Sequence, residues 1–153
     1  MDVFELLTND HRKVSAIFEQ LEQTSDVTTR QTLFAQVKQE LDLHAYVEET
    51  LFYPKLKEAA ETREIILEAY EEHQEVKDLL TEMQGLSPDG DEWSDLLQEL
   101  KESVEHHVDE EENEMFPQAR EVLSASEIDQ LGTQIEAAKQ QHKQKASSAA
   151  PSM

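Results

Sequence analysis

Six side chains that can ligate a metal ion occur in two matching sets along the chain. His44 and Glu48 are four residues apart, and so are His107 and Glu111; an aromatic residue and a proline follow both glutamates at the same spacing. Residues four apart on an α-helix are rotated by about 40° and lie roughly 6 Å apart along the axis. Each His-x-x-x-Glu pair can therefore serve one small centre.

A single histidine precedes each of these pairs at nearly the same distance. His11 lies 33 residues before His44, and His73 lies 34 residues before His107. Each half of the chain thus offers two histidines and one glutamate on a helical hairpin. If the two hairpins pack antiparallel about an approximate twofold axis, all six groups meet near one level of the bundle. His106 is rotated by about 100° from His107 and is expected at the surface or behind the ligands.

Burying these groups together requires a cation. A buried carboxylate without a partner carries a large desolvation penalty, and two that face each other carry a larger one. A pair of metal ions removes the difficulty, with both glutamates bridging the ions and the histidines capping them from outside. Imidazole and carboxylate ligands without thiolate suit iron, manganese or zinc, and the chain has no cysteine. The predicted metal ligands are His11, His44, Glu48, His73, His107 and Glu111.

Apolar residues spaced three or four apart predict the helices that position these ligands. Four helices are expected, over residues 2–24, 29–60, 61–84 and 91–120. Asp2 is the predicted N-cap of the first helix. The segment 85–90 holds two of the three glycines and a proline, and this composition predicts a loop between the two halves.

A further, shorter helix is expected after the fourth. Ser124 or Ser126 is predicted to cap it, and it should end at about Lys145 and pack outside the bundle. The composition of residues 146–153 is typical of a disordered tail.

Composition limits the class of protein and its partners. A chain of 153 residues with three glycines and four prolines fits a single all-helical domain. Its net charge of −22 repels phosphate backbones, so no nucleic-acid partner is expected. The absence of cysteine excludes disulfides and thiolate ligands within the chain. No long apolar run and no leader pattern is evident, which favours a cytoplasmic protein without a membrane partner.

The order of a lone histidine, a His-x-x-x-Glu pair, a second lone histidine and a second pair resembles the hemerythrin-like (HHE) cation-binding domains. The resemblance covers roughly residues 5 to 120. It implies an up-down antiparallel four-helix bundle over residues 1–122, followed by an accessory C-terminal helix over 123–145 and a tail over 146–153. It also implies two iron ions bridged by an oxo or hydroxo group and by the two glutamates, with manganese or zinc less favoured. Such a centre can react with dioxygen, nitric oxide or hydrogen peroxide.

The chain departs from the oxygen-carrying members of that family at one position. Those members have a second histidine four residues after the third-helix histidine, where this chain has Lys77. One iron is therefore short of a ligand, and the candidates to replace it are a water molecule, Tyr53, Glu49, Glu72 and Glu112. Tyr53 is either a packing residue or a catalytic one whose hydroxyl bonds a bridging oxygen or iron. An open coordination position favours reaction over reversible oxygen carriage.

Two functions follow from these features. One is a di-iron, catalase-like activity that decomposes peroxide or another reactive oxygen species. The other is a module that binds or senses dioxygen, nitric oxide or iron and passes a conformational change to a protein partner. The ferritin-like carboxylate proteins need Glu-x-x-His pairs, and the sequence has none. A metal-free bundle that works as an interaction protein is the remaining alternative.

Overall fold

The computed structural model describes the backbone of residues 1–149 and the side chains of residues 1–143. Its α-helices are α1 (Val3–Gln23), α2 (Val27–Val47), α3 (Tyr53–Lys57), α4 (Ala60–Gln84), α5 (Asp91–Glu110), α6 (Phe116–Val122) and α7 (Ala125–Ala149). Two π-helical turns, π1 (Glu48–Phe52) and π2 (Glu111–Met115), join α2 to α3 and α5 to α6. The described residues contain no strand. The four arms α1, α2–π1–α3, α4 and α5–π2–α6 form the antiparallel bundle, so the predicted all-α fold is confirmed.

Side-chain caps fix where three of the helices begin. Asp2 accepts the backbone N–H of Glu5 at 2.9 Å, and Glu5 accepts the N–H of Asp2 in return, which confirms Asp2 as the N-cap of α1. Asp26 caps α2 in a similar way, so α2 begins two residues before the expected start. Ser124 and Glu127 form a further capping box, which selects Ser124 as the cap of α7.

The turns π1 and π2 are the main difference from the uninterrupted helices that the sequence predicts. The N–H of Tyr53 bonds to the carbonyl of Glu48, and the N–H of Phe116 bonds to the carbonyl of Glu111, five residues back in each case. Five residues along an α-helix lead to a position rotated by about 140°. The wider π turn brings the fifth residue back toward the face of the first. A proline follows each aromatic residue and lacks the N–H that would continue regular α-helical bonding.

Buried apolar side chains form two clusters on either side of the predicted ligands. One cluster contains, among others, Phe4, Leu7, Phe52, Tyr53, Leu56, Ile66 and Phe116. The other contains, among others, Val14, Phe18, Leu21, Val37, Leu80, Trp93 and Leu100. The layer that holds the ligands is therefore enclosed by apolar packing toward both ends of the bundle.

The long helix α7 packs across α1 and α2. It buries Leu131 and Ile135 in the core cluster next to π1. Gly132 lies so close to the start of the chain that an added Cβ would stand 2.6 Å from the carbonyl oxygen of Met1. A side chain at this position would therefore push α7 away from α1.

The end of α7 differs from the expected one. The helix continues to Ala149 rather than ending at about Lys145, so residues 146–149 of the expected tail are helical. The rest of the expected tail, residues 150–153, lies outside the described residues. Within the described part of the chain, no helix has both the length and the apolar character needed to cross a membrane.

Candidate metal centre

The four predicted histidine ligands come from four different arms and meet in the middle of the bundle. Nε2 of His11 on α1 lies 3.3 Å from Nε2 of His44 on α2. Nε2 of His73 on α4 lies 3.2 Å from Nε2 of His107 on α5. All four residues are buried, whereas the neighbouring side chain of His106 is 66% exposed and lies at the surface, as expected.

The two predicted glutamate ligands lie between these histidine pairs. Glu48 and Glu111 are fully buried and are the first residues of π1 and π2. Oε1 of Glu48 lies 3.1 Å from Nε2 of His44 and 3.1 Å from Nε2 of His73. Glu111 spans the pairs likewise, with Oε1 3.1 Å from the α1 histidine and Oε2 3.1 Å from the α5 histidine. Each carboxylate therefore contacts one histidine of each pair, which is the arrangement that bridging ligands require.

The donor set fits two metal ions. The six side chains form two groups whose ligand atoms lie within 4.8 Å of one another: His11, His44 and Glu111, and Glu48, His73 and His107. In addition, Oε2 of Glu48 is buried and has no hydrogen-bond partner. Buried polar atoms are almost always satisfied, so an orphaned carboxylate oxygen at the centre of six ligand groups indicates a place for a cation.

A carboxylate orients each histidine from the outside. The Nδ1 atoms of His11, His44, His73 and His107 donate to Glu112 at 2.6 Å, Asp10 at 3.0 Å, Glu49 at 2.8 Å and Glu72 at 2.7 Å, respectively. This bond places the proton on Nδ1 and turns Nε2 toward the centre, as in most histidine metal sites. Glu49, Glu72 and Glu112, three candidates for the missing ligand, therefore support the histidines from behind instead of facing the centre.

The sequence repeat could have revealed these supporting carboxylates. Asp10 and Glu72 each precede the lone histidine of their half, and Glu49 and Glu112 each follow the predicted bridging glutamate. Asp10 was not among the predicted site residues. Its role follows from the same twofold pattern that relates the ligands.

Tyr53 contacts the centre directly, because π1 turns it inward. Its hydroxyl lies 2.9 Å from Oε2 of Glu111 and 3.1 Å from Oε1 of Glu48. It is also 3.2 Å from Nε2 of His73 and 3.4 Å from Nε2 of His107. The other half has Phe116 at the matching position, so only the half formed by the α4 and α5 histidines has a phenol beside it.

Lys77 occupies the position where the oxygen carriers have another histidine. Its Nζ lies 3.2 Å from Oε2 of Glu49, the carboxylate that holds His73. The side chain is 43% exposed. Lys77 thus contacts the carboxylate that supports His73 from behind.

The ligand groups balance each other's charge in the absence of metal. Burial lowers the pKa of His44 and of His107, but the nearby glutamates outweigh it and hold both pKa values well above the usual range. Burial and the Glu111 charge raise the pKa of Glu48, but the histidines outweigh them and lower it to about 2. Burial and the same two carboxylates raise the pKa of Tyr53 well above its usual value. Without a cation, the phenol therefore keeps its proton.

A small cavity lies beside the histidines, on the side away from Tyr53. Its volume is about 40 Å³, which is enough for a molecule of a few atoms. The apolar side chains that line it are Val14, Leu41, Ala45, Val76, Leu80, Val104 and Val108. All four predicted histidine ligands line it as well, so a small molecule in the cavity would contact them in largely apolar surroundings.

A four-helix bundle whose four inward histidines and two spanning glutamates form a buried cluster defines a hemerythrin-type metal-binding bundle. The sequence pattern of the Hemerythrin HHE cation binding domain matches residues 2–119, and the chain belongs to this family.

Known proteins that resemble the chain support this assignment. A crystal structure of a Hemerythrin HHE cation binding domain-containing protein from Mycobacterium kansasii superposes with a TM-score of 0.84. It is 28% identical and the match covers 95% of this chain and 90% of that one. An uncharacterized hemerythrin-like protein of Schizosaccharomyces pombe is 29% identical, over 90% of this chain and 68% of that protein.

A third relative is much longer than this chain. A Nostoc protein named DNA nickase is 32% identical over 95% of this chain, but the match spans 41% of that protein's length. Most of the Nostoc protein therefore lies outside the shared segment.

Proposed function

We propose that the chain holds two iron ions and uses them to decompose hydrogen peroxide or a related reactive oxygen species. One ion would be held by His11, His44 and Glu111, and the other by His73, His107 and Glu48, with the two carboxylates shared. The observation that carries the proposal is the orphaned Oε2 of Glu48, which is fully buried among these ligand atoms.

Four imidazoles and two carboxylates suit iron, manganese or zinc. Similarity to the Hemerythrin HHE cation binding domain favours iron among them. When bound, a pair of irons supplies two one-electron couples, which together match the two electrons exchanged when peroxide is converted to water or dioxygen.

Tyr53 supplies the feature that distinguishes the two halves. Its hydroxyl lies 3.2 Å from Nε2 of His73 and 3.4 Å from Nε2 of His107, whereas the matching position of the other half is Phe116. We propose that, where the oxygen carriers have a further histidine ligand, the Tyr53 hydroxyl would instead donate a hydrogen bond at this half of the centre. Direct ligation by the phenolate is the alternative, and visible charge-transfer absorption from a tyrosinate bound to ferric iron would reveal it.

The surroundings restrict which molecules can reach the ligands. The apolar cavity of about 40 Å³ is large enough for peroxide or a diatomic gas. Larger organic substrates do not fit there, so an oxygen species is the substrate class that the geometry favours.

Binding or sensing without turnover is the second candidate. The observation in its favour is the Nostoc relative, in which a segment similar to this chain forms less than half of a longer protein. A domain of this kind can therefore be attached to other segments or act through a protein partner. The gas or peroxide would occupy the same cavity in this case.

DNA nicking, the activity named for the Nostoc relative, is not proposed for this chain. The net charge of −22 opposes binding to a phosphate backbone.

Adding hydrogen peroxide to the iron-loaded protein and following oxygen release separates the two candidates. Catalytic release, with many equivalents of oxygen for each chain, supports decomposition. A stoichiometric spectral change without oxygen release supports a binding module. Glu48→Ala is the matched control, because it removes a predicted ligand and should abolish both responses.

A further inference from the structure

The helix α7 lies outside the segment that matches the family, yet one of its side chains reaches the metal layer. Nζ of Lys139 contacts both carboxylate oxygens of Asp10. Oδ2 of Asp10 in turn accepts the Nδ1–H of His44 at 3.0 Å. A chain of two polar contacts therefore links α7 to a predicted ligand.

The way α7 packs against α1 determines where Lys139 lies. Leu131 and Ile135 are buried in the core, and Gly132 permits the close approach to the backbone of the first two residues. Ile135 and Lys139 are four residues apart, so they lie on the same face of α7. Docking of the first turns of α7 thus carries Lys139 to Asp10.

The position of Asp10 depends on its contact with Lys139 more than the positions of the other three supporting carboxylates depend on any one contact. Its side chain is 6% exposed, whereas those of Glu72, Glu49 and Glu112 are 15%, 24% and 35% exposed. The more exposed carboxylates can take hydrogen bonds from water. A buried carboxylate that loses its cationic partner has no such substitute and moves or draws in solvent.

We propose that α7 is a strap on one half of the metal centre, and that Lys139 is a positioning residue that holds Asp10 and thereby the ring of His44. The half formed by His11, His44 and Glu111 then depends on α7. The half formed by the α4 and α5 histidines does not, because its supporting carboxylates are held from within the bundle. This inference rests on the proposed binding of two metal ions.

The test uses the chain with α7 intact, loaded with Co²⁺, which is redox-inert under these conditions and reports its ligands in the visible spectrum. Competition with a chelator measures the dissociation constant of each of the two ions. The variants are Lys139→Met and Lys139→Arg, with Lys143→Met as the control one turn further along α7. Proton NMR of the loaded protein follows the paramagnetically shifted ring N–H signals and their exchange with water.

Removing a group behind a histidine ligand costs about 10-fold to 100-fold in metal affinity. Because Lys139 acts through Asp10, Lys139→Met should weaken the binding of one of the two Co²⁺ ions by roughly tenfold, at the lower end of that range. The second ion should be retained with unchanged affinity. One ring N–H signal should exchange faster, and Lys139→Arg should restore both properties.

The proposal that α7 is a strap would be overturned if Lys139→Met weakened the binding of both Co²⁺ ions equally. It would also be overturned if both affinities and the N–H exchange were unchanged. The same effect in Lys143→Met would also overturn it, since that would indicate a general effect of α7 charge. If the unmodified protein binds no Co²⁺ at all, the proposed metal function fails, and this result is distinct from failure of the strap.

Discussion

Replacing Tyr53 with phenylalanine removes one hydroxyl from the centre and keeps the ring that packs in the core. The hydroxyl has one proton, which it shares between Oε2 of Glu111 at 2.9 Å and Oε1 of Glu48 at 3.1 Å. A hydrogen bond to a charged partner contributes about 1.5–3 kcal/mol, and the carboxylates it leaves are fully buried. Tyr53→Phe should therefore lower the unfolding free energy of the metal-free protein by about 2 kcal/mol.

Urea denaturation, followed by far-ultraviolet circular dichroism after removal of metal, measures this loss. A loss of about 2 kcal/mol corresponds to a shift of about 1 M in the urea midpoint, for a slope of about 2 kcal/mol per molar urea. In the iron-loaded protein the carboxylate oxygens have metal partners, so the loss should be smaller. Tyr70→Phe is the matched control, because the partly exposed ring of Tyr70 lies 5.4 Å from that of Tyr53. This variant should lose no more than about 0.5 kcal/mol of unfolding free energy.

The outcome that refutes this reasoning is a metal-free Tyr53→Phe protein as stable as the unmodified one. The hydroxyl would then contribute nothing to the balance of charge at the centre. A greater loss in the loaded protein than in the metal-free one would instead identify Tyr53 as a metal ligand.

Three further predictions concern the ligands, the pH dependence and α7. Glu48→Ala should empty the centre as measured by iron analysis, while Glu114→Ala, at an exposed position, should leave the iron content unchanged. The folded pKa values of His44 and His107 are raised above 6.5, so their contribution to stability is fully present below pH 6.5 and is lost as pH rises through the folded values. Urea midpoints of the metal-free protein should therefore fall with increasing pH above 6.5, whereas iron affinity should rise because binding displaces protons; a flat stability profile would contradict these shifts. Gly132→Ala should destabilise the protein by about 1–3 kcal/mol, since its Cβ meets backbone, and an unchanged melting temperature would show that α7 can shift freely.

The twofold repeat made the ligand cluster predictable. A helix period places His44 and Glu48 on one face, and the second half repeats the pattern at His107 and Glu111. Nothing else was needed to predict that these groups meet, because each lies within an apolar stripe that must face the core. The clustering in the structure agrees with that prediction, and the binding of metal stays a proposal.

The π turns and the supporting carboxylates were harder to predict. A period of 3.6 residues places Glu48 on the inward face of its helix but turns Tyr53 away from that face. The sequence pattern does not show that a π turn accommodates one extra residue here. The aromatic residue and proline after both glutamates are the available signal. Asp10 and Lys139 are 129 residues apart in sequence, and their contact depends on the docking of α7, which local patterns do not encode.

Metal analysis of the protein, expressed with ample iron and purified without chelator, tests the central claim most directly. Two buried groups of three ligand atoms, joined by carboxylates that span them, predict two irons per chain. Near-ultraviolet absorption typical of an oxo-bridged ferric pair should accompany them. Protein that contains no iron and lacks this absorption would contradict the account, and a single iron per chain would contradict the shared role of Glu48 and Glu111.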